Sequence, residues 1–311
     1  MTQSTPIIRL GTRSSPLAMA QAYETRRGLC EAHGWREEQV ELVPVVASGD
    51  KVLDRPLAEI GGKALWTKEL DHWLHEGAID ASVHSMKDVE TLRPETLIIG
   101  AVLPRADTAD CLVGSASIED IPQGATIGTS APRRAAQLLH LRSDCKVVSF
   151  RGNVATRLSK LEKGEADCTL LASAGLLRLG EDKIGTRLDP DRWLPAPAQG
   201  AIGIECRADD DVTQSYLAAI DHTPSRQGVM AERALLRALG GNCHSPIAML
   251  TTAQDDVLAL RCALFSPDGS ERIEATHCGA ADDLAWVAVM GDDLLSRLTT
   301  GMTAYFGQTQ G

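Results

Sequence analysis

Twice in this chain a short apolar run gives way to hydroxyl-bearing residues and then to a proline. Ile7-Ile8-Arg9-Leu10 precedes Thr12-Arg13-Ser14-Ser15-Pro16, and Ala125-Thr126-Ile127-Gly128 precedes Thr129-Ser130-Ala131-Pro132-Arg133-Arg134. A serine or threonine caps the unpaired amides of a first helical turn, and proline fits that turn because the N–H it lacks would have no partner there. Both stretches therefore read as a strand followed by a helix start. The alternation recurs at Ala81-Ser82-Val83 before His84-Ser85-Met86-Lys87-Asp88, at Lys146 to Phe150 before Arg151-Gly152-Asn153, and at Thr169 to Ala174 before Gly175. Ala201 to Cys206 is a further short strand. Such alternation implies parallel sheets covered by helices, with ligands gathering at the strand carboxyl ends.

The first helix is expected to run from Pro16 to about His33 and to stop at Gly34. Val40 to Val46 reads as a strand whose Pro44 marks an edge or a bend. Ser48 to Lys63 is polar and glycine-containing and reads as a long loop. Trp66, Leu70, Trp73 and Leu74 recur at helical spacing, as a core-facing stripe does. Beyond residue 220 the character changes: Thr223-Pro224 opens a helix stopped by Gly240-Gly241, Leu258 to Phe265 and Ile273 to His277 flank a Ser266-Pro267-Asp268-Gly269 turn, and a last helix covers roughly 281–298. This tail reads as a smaller α+β domain. At 311 residues the chain suits two or three compact domains, and with only 4% aromatics their cores must be aliphatic.

The 31 basic and 42 acidic residues leave a net charge of −11, which argues against a partner that needs a positive field, such as nucleic acid or an anionic membrane. Any anion must be held by a local cluster. Eight cysteines, at 30, 111, 145, 168, 206, 243, 262 and 278, are scattered without a CxxC pair and read as reduced thiols. With neither a basic-then-apolar start nor an apolar run of membrane-spanning length, the expectation is a soluble cytoplasmic protein.

The placement of the arginines is the unusual feature. Arg13, Arg133, Arg134 and Arg151 each fall just after an expected strand, and Arg157 lies one or two turns into the next helix. Parallel-sheet geometry brings such positions together beside helix N-termini, which favour anions themselves. Arginine's planar fork matches a carboxylate in bidentate fashion, at roughly 1.5–3 kcal/mol net per charged hydrogen bond. Several forks around one cleft suit a ligand with many carboxylates. Asp88 stands just past a strand end, where a carboxylate suits proton transfer or stabilisation of a developing cation, although the residues alone favour a helix cap. Cys243, beside His244 in a loop after a helix, suits a nucleophile or an attachment point. Gly61-Gly62-Lys63 lacks phosphate-loop spacing, His72 and His75 have no third metal ligand at diagnostic spacing, and neither a nucleophile elbow nor a dinucleotide fingerprint is present. No metal site is expected.

Six segments, in order and spread over essentially the whole chain, resemble the porphobilinogen deaminase family. They are Gly11-Thr12-Arg13-Ser14-Ser15-Pro16-Leu17-Ala18; Gly61-Gly62-Lys63 with Lys68-Glu69-Leu70; Val83-His84-Ser85-Met86-Lys87-Asp88-Val89; Arg151-Gly152-Asn153-Val154 with Thr156-Arg157-Leu158; Ala198-Gln199-Gly200-Ala201 with Gly203-Ile204-Glu205-Cys206-Arg207; and the Cys243 loop. The resemblance implies two periplasmic-binding-protein-like (type II) α/β domains with mostly parallel sheets, plus a smaller α+β C-terminal domain. Their expected bounds are 1–102 with 202–220, then 103–201, then 221–311, the last bearing the cysteine.

The resemblance further implies a dipyrromethane cofactor carried by Cys243 through a thioether. On that primer four porphobilinogen molecules are joined head to tail as each loses ammonia through an electrophilic azafulvene, and hydrolysis releases hydroxymethylbilane for tetrapyrrole synthesis. Asp88 becomes the catalytic carboxylate, bonding pyrrole nitrogens and assisting proton transfer. Binding of cofactor and substrate, through their acetate and propionate arms or the pyrroles themselves, falls to Arg13, Ser15, Lys63, Ser85, Lys87, Thr129, Ser130, Arg133, Arg134, Arg151, Gly152, Asn153, Arg157, Arg178 and Gln199. A transferase acting as a monomer is the corresponding expectation.

The chain also departs from the family pattern. Glu59 stands where relatives often have lysine, Ala131 replaces a serine, Glu90 replaces the usual proline after Asp88-Val89, and Asn242 separates Gly241 from the cysteine. Two rival readings stand beside the resemblance. A non-catalytic polycarboxylate-binding module of periplasmic-binding-protein type accounts for the arginines but not for Asp88 or the loop cysteine. A hydrolase using Cys243 with His244 requires two adjacent residues to aim at each other.

Overall fold

The computed structural model describes residues 6–45, 65–242 and 244–307. The loop expected over 48–63, with Glu59 and Lys63, lies outside the described residues, and so does Cys243. The chain forms two compact units, Met1–Arg105 with Ala201–Arg226, and Ala106–Gly200 with Gln227–Gly311.

In the first unit β1 (Ile8–Arg13) enters α1 (Pro16–His33) and returns as β2 (Val40–Val45), parallel to β1 from Ile8↔Val40 to Arg13↔Val45. The Ser15 hydroxyl accepts from the Ala18 amide at 3.4 Å, and Gly34 closes the helix at a φ of 67°, a conformation that favours glycine. Both helix ends fall where the sequence puts them. β2 is an edge strand, where Pro44 is tolerated. α2 (Leu65–His75) buries Leu70 and Leu74 and leads to β3 (Ala81–Ser85), a parallel neighbour of β1. A single 3-10 turn, Met86–Asp88, follows. β4 (Leu97–Val102) and the later β10 (Ile202–Arg207) complete a sheet of order β2-β1-β3-β10-β4, over a core that includes Ile8, Leu10, Leu29, Val83, Ile202 and Ile204.

The second unit repeats this plan. β5 (Asp110–Val113) is followed by β6 (Thr126–Gly128), α3 (Pro132–Leu141), β7 (Lys146–Val148), α4 (Val154–Glu162), β8 (Cys168–Ala172), α5 (Ser173–Arg178) and β9 (Thr186–Arg187), in the sheet order β7-β6-β8-β5-β9. In each sheet three neighbouring strands are parallel, while the fourth, β10 or β5, runs antiparallel to both its neighbours. The sequence reading expects mostly parallel sheets, because a crossover helix imposes that direction, and does not say which strands depart from it. β10 and β5 instead follow a passage of the chain between units, so no crossover helix dictates their direction.

After α6 (Asp211–Ala218) and α7 (Thr223–Ala238), the second unit adds an antiparallel sheet of β11 (Ile247–Gln254), β12 (Val257–Phe265) and β13 (Arg272–Ala280), and then α8 (Ala285–Ser296). β12 and β13 pair as the expected hairpin, with Phe265 opposite Arg272. α8 starts later than expected, because β13 runs on to Ala280 and the Asp283 carboxylate accepts from the Ala285 amide at 3.0 Å. Within this unit Ala136, Leu194, Ala248, Ala263 and Phe265 form one apolar cluster, which joins α3 to the antiparallel sheet. Among the described residues no helix is long and apolar enough to cross a membrane.

Gly128 closes β6 directly beneath the ring of Phe150, which is fully buried; a Cβ there would lie 2.4 Å from the ring. A packed ring cannot swing aside as a flexible chain end can. Gly128→Ala is therefore expected to lower stability by about 1–3 kcal/mol, read from urea midpoints at unchanged m-value.

Candidate functional site

In the first unit the predicted residues collect at the carboxyl ends of two hydrogen-bonded strands. Arg13 ends β1 and Ser15 caps α1, while Ser85 ends β3 and is paired with the Gln21 side-chain amide at 2.7 Å. Lys87 and Asp88 occupy the 3-10 turn beyond. The Met86 amide donates to the Ala201 carbonyl at 3.0 Å, and the Met86 and Val89 side chains are buried. Asp88, between them, is exposed. The turn thus presents a carboxylate to solvent from an anchored backbone.

Beneath this turn lies a group of charges that the sequence reading did not find. Glu205 on β10 has no exposed surface; its carboxylate takes Arg93 Nε at 2.9 Å and Nη2 at 3.0 Å, and lies 3.2 Å from His84 Nε2. Ser82 Oγ stands 2.8 Å from the same histidine nitrogen. Burial alone would raise the pKa of Glu205; the His84 and Arg93 contacts overcome it and lower the value from 4.5 to about 2.

In the second unit the loops after β6 and β7 bring together Thr129, Ser130, Arg151, Gly152 and Asn153. The Thr129 amide donates to the Val148 carbonyl at 2.9 Å, and the Ser130 and Ser149 hydroxyls meet at 2.8 Å. Gly152 adopts a φ of 108°, and a Cβ there would lie 2.7 Å from Thr156. Its carbonyl accepts from Arg157 Nε at 3.0 Å, while Asn153 caps α4 through the Thr156 amide at 2.9 Å. Arg178, at the end of α5, donates to the Gly200 carbonyl at 3.2 Å. These residues line the carboxyl ends of three adjacent parallel strands.

Arg133 and Arg134 are placed differently from the arm-binding position the sequence reading gives them. Both are at most 5% exposed and converge on Asp110, which is wholly buried. Arg133 Nη2 donates to Oδ2 at 2.7 Å, Arg134 Nη2 to Oδ1 at 2.7 Å, and the Leu194 and Leu170 carbonyls take the remaining ends. Trp193 Nε1 and Gln199 Nε2 also donate to Asp110, at 2.8 and 2.9 Å. Burial would raise the Asp110 pKa, but the two guanidiniums hold it well below the usual carboxylate range. Two cations on one anion leave a net positive charge, and Arg133 Nε–H is a buried donor without a hydrogen-bond partner among the described residues. A legible signal existed for both buried acids: Asp110 and Glu205 stand inside the apolar runs Ala109 to Val113 and Ile202 to Cys206, where a charge needs partners.

Comparison with known proteins gives concordant findings. Residues 8–215 match the family described as porphobilinogen deaminase, dipyromethane cofactor binding domain, and residues 227–295 match the porphobilinogen deaminase C-terminal domain. The chain is 52% identical over 305 residues to a porphobilinogen deaminase of Sphingopyxis alaskensis, covering 96% of both chains. It is 51% identical over 294 residues to the Paracoccus denitrificans protein of that name, covering 94% of this chain and 93% of the relative. The chloroplastic protein of Oryza sativa is 48% identical over 89% of this chain and 79% of its own length.

Glu205 has a consequence for acid stability. Its carboxylate binds protons less readily folded than unfolded, so its contribution is complete above about pH 4.5 and is lost as pH falls toward 2. The contribution is on the order of 3 kcal/mol. Urea unfolding across this window should show a shallower acid loss in Glu205→Gln than in the parent; equal slopes would contradict the assignment.

Proposed function

Because the chain belongs to the porphobilinogen deaminase family, we propose that it joins porphobilinogen molecules head to tail, with release of ammonia, on a covalently held dipyrromethane to give hydroxymethylbilane. The reaction is a group transfer, and the observation that carries this reading is the placement of Asp88, an exposed carboxylate on a turn with a buried residue on either side. In the first unit it stands at the end of the strand neighbouring the one that carries Arg13.

The donor set suits a dipyrromethane. Its acetate and propionate arms are carboxylates, and Arg13 in one unit, with Arg151, Arg157 and Arg178 in the other, occupies strand carboxyl ends or the helices that follow them. When bound, the group supplies the terminal pyrrole on which the oligopyrrole grows, and Cys243 is the residue assigned to carry it.

Asp88 accepts the pyrrole N–H of porphobilinogen. As the aminomethyl carbon–nitrogen bond breaks, the electron pair departs with a nitrogen that has taken a proton, and ammonia leaves. The positive charge left on the pyrrole is stabilised by the Asp88 carboxylate, which also moves the proton lost when the ring is restored. Lys63, Lys87 and the arginines hold the arms, with the hydroxyls of Ser15, Ser85, Thr129 and Ser130, the Gly152-Asn153 loop and Gln199 supplying further donors. Arg133 and Arg134 act as a buried net positive charge beneath their unit's share of these groups. A local positive cluster is required because the chain as a whole carries −11. The same reading makes the protein a cytoplasmic monomer; the free thiols of all seven described cysteines support a reducing compartment.

Intact mass spectrometry is expected to show an adduct equal to two deaminated porphobilinogen units, absent from Cys243→Ser. An active protein of unmodified mass would eliminate the covalent primer. Asp88→Asn should retain the parent's circular dichroism while ammonia release from porphobilinogen falls by about 100-fold or more. Turnover close to the parent's would remove Asp88 from the reaction.

A further inference from the structure

The turn that presents Asp88 is tied down by charge at its far end. We propose that Glu90 is a positioning residue for Asp88, with Arg93 as the cation that holds it; this rests on Asp88 being the reacting carboxylate. Glu90 follows Asp88 by two residues, and its two carboxylate oxygens have different partners. Oε2 accepts from Arg93 Nη1 at 3.0 Å, and Oε1 accepts from the Thr67 hydroxyl on α2 at 2.6 Å. Arg93, 10% exposed, spends its other donors on Glu205 and on Asp71 of α2, the latter at 2.5 Å. One guanidinium therefore binds three carboxylates, from β10, from α2 and from the segment that follows the turn.

The near end of the turn is fixed separately, by the Met86 amide on the Ala201 carbonyl. Asp88 thus lies between two anchors, one of backbone and one of charge. Met86 and Val89 pack on either side, but Asp88 itself is exposed, and a reacting group displaced by about 1 Å can lose orders of magnitude in rate. Loss of the Glu90 contact removes one restraint at the far end of the turn, beside the buried Val89, without touching Asp88 or the buried Arg93–Glu205 pair. Its signature is a fall in kcat at nearly constant KM.

The test is steady-state kinetics and thermal melting on the holoenzyme. Glu90→Gln is expected to lower kcat about tenfold, with KM and melting temperature little changed. Arg93→Lys, which keeps the charge but not the fork, should fall between parent and Glu90→Gln in kcat. Asp71→Asn cuts another tie of Arg93 to α2 and leaves the turn's own bonds in place; it should lower the melting temperature while kcat per folded molecule is retained. If Glu90→Gln keeps kcat within about twofold of the parent while Asp88→Asn is inactive, Glu90 has no positioning role and the reading of Asp88 survives. If Asp88→Asn itself turns over normally, the underlying reading fails instead. Parallel losses of kcat and melting temperature in Glu90→Gln and Asp71→Asn would show a merely structural network and would overturn the proposal.

Discussion

A carboxylate without exposed surface stays ionised only where cations reach it, and each α/β sheet here is organised about one such charge. Glu205 and Asp110 lie on β10 and β5, which hold the same fourth position in their sheets and are the strands antiparallel to both neighbours. Arg93 and His84 answer the first; Arg133 and Arg134 answer the second. In one unit the cations flank the Asp88 turn, His84 on β3 before it and Arg93 five residues after Asp88; in the other they lie in the first turn of α3. Removing one partner of such a group costs about 3–5 kcal/mol, because it strands a buried charge. The buried acids therefore join the sheet interior to the segments that carry chemistry.

That arrangement explains which parts of the molecule were legible beforehand. The ends of α1 were readable because Ser15, Pro16 and Gly34 act through local backbone chemistry. The places of Arg13 in one unit and of Arg151 and Arg157 in the other were readable because strand–helix alternation fixes where the strand carboxyl ends of each unit lie. The destination of Arg133 and Arg134 was not, since their partner is more than twenty positions away in sequence and is brought beside them only by sheet pairing. The direction of β5 and β10 was equally hidden: an apolar run shows that a strand exists, not which way it enters the sheet. Asp110 and Glu205 could have been suspected from their apolar neighbours, but not their partners.

The departures from the family pattern acquire physical content in the same way. Ala131 begins α3 without a side-chain cap, and the Thr129 hydroxyl accepts from the Ala131 amide at 3.2 Å. The amide that begins this helix is thus satisfied from two residues upstream, although a hydroxyl is missing at 131. Asn242 Oδ1 accepts from the His244 amide at 2.8 Å, and the Ser245 hydroxyl accepts from the Asn242 amide at 3.1 Å. The residues on either side of position 243 are therefore bonded to one another. Glu90, where the resemblance implies proline, offers an ionic restraint in place of a covalent one on φ.

The exchange at Glu90 changes how the Asp88 turn responds to its surroundings. A proline restrains its own φ whatever the state of its neighbours, whereas the Glu90 contact exists only while α2, β10 and the turn are all in place around Arg93. Order at Asp88 is thereby made conditional on order in α2, whose first residues follow directly on the 46–64 segment. Ionic restraint of a partly exposed carboxylate is also weaker and more salt-sensitive than a ring closure. On the roles proposed for Asp88 and Glu90, stability and catalytic order are separable. The deeply buried Glu205 contact then bears on the stability of the sheet, and the shallower Glu90 contact on how a folded molecule presents Asp88.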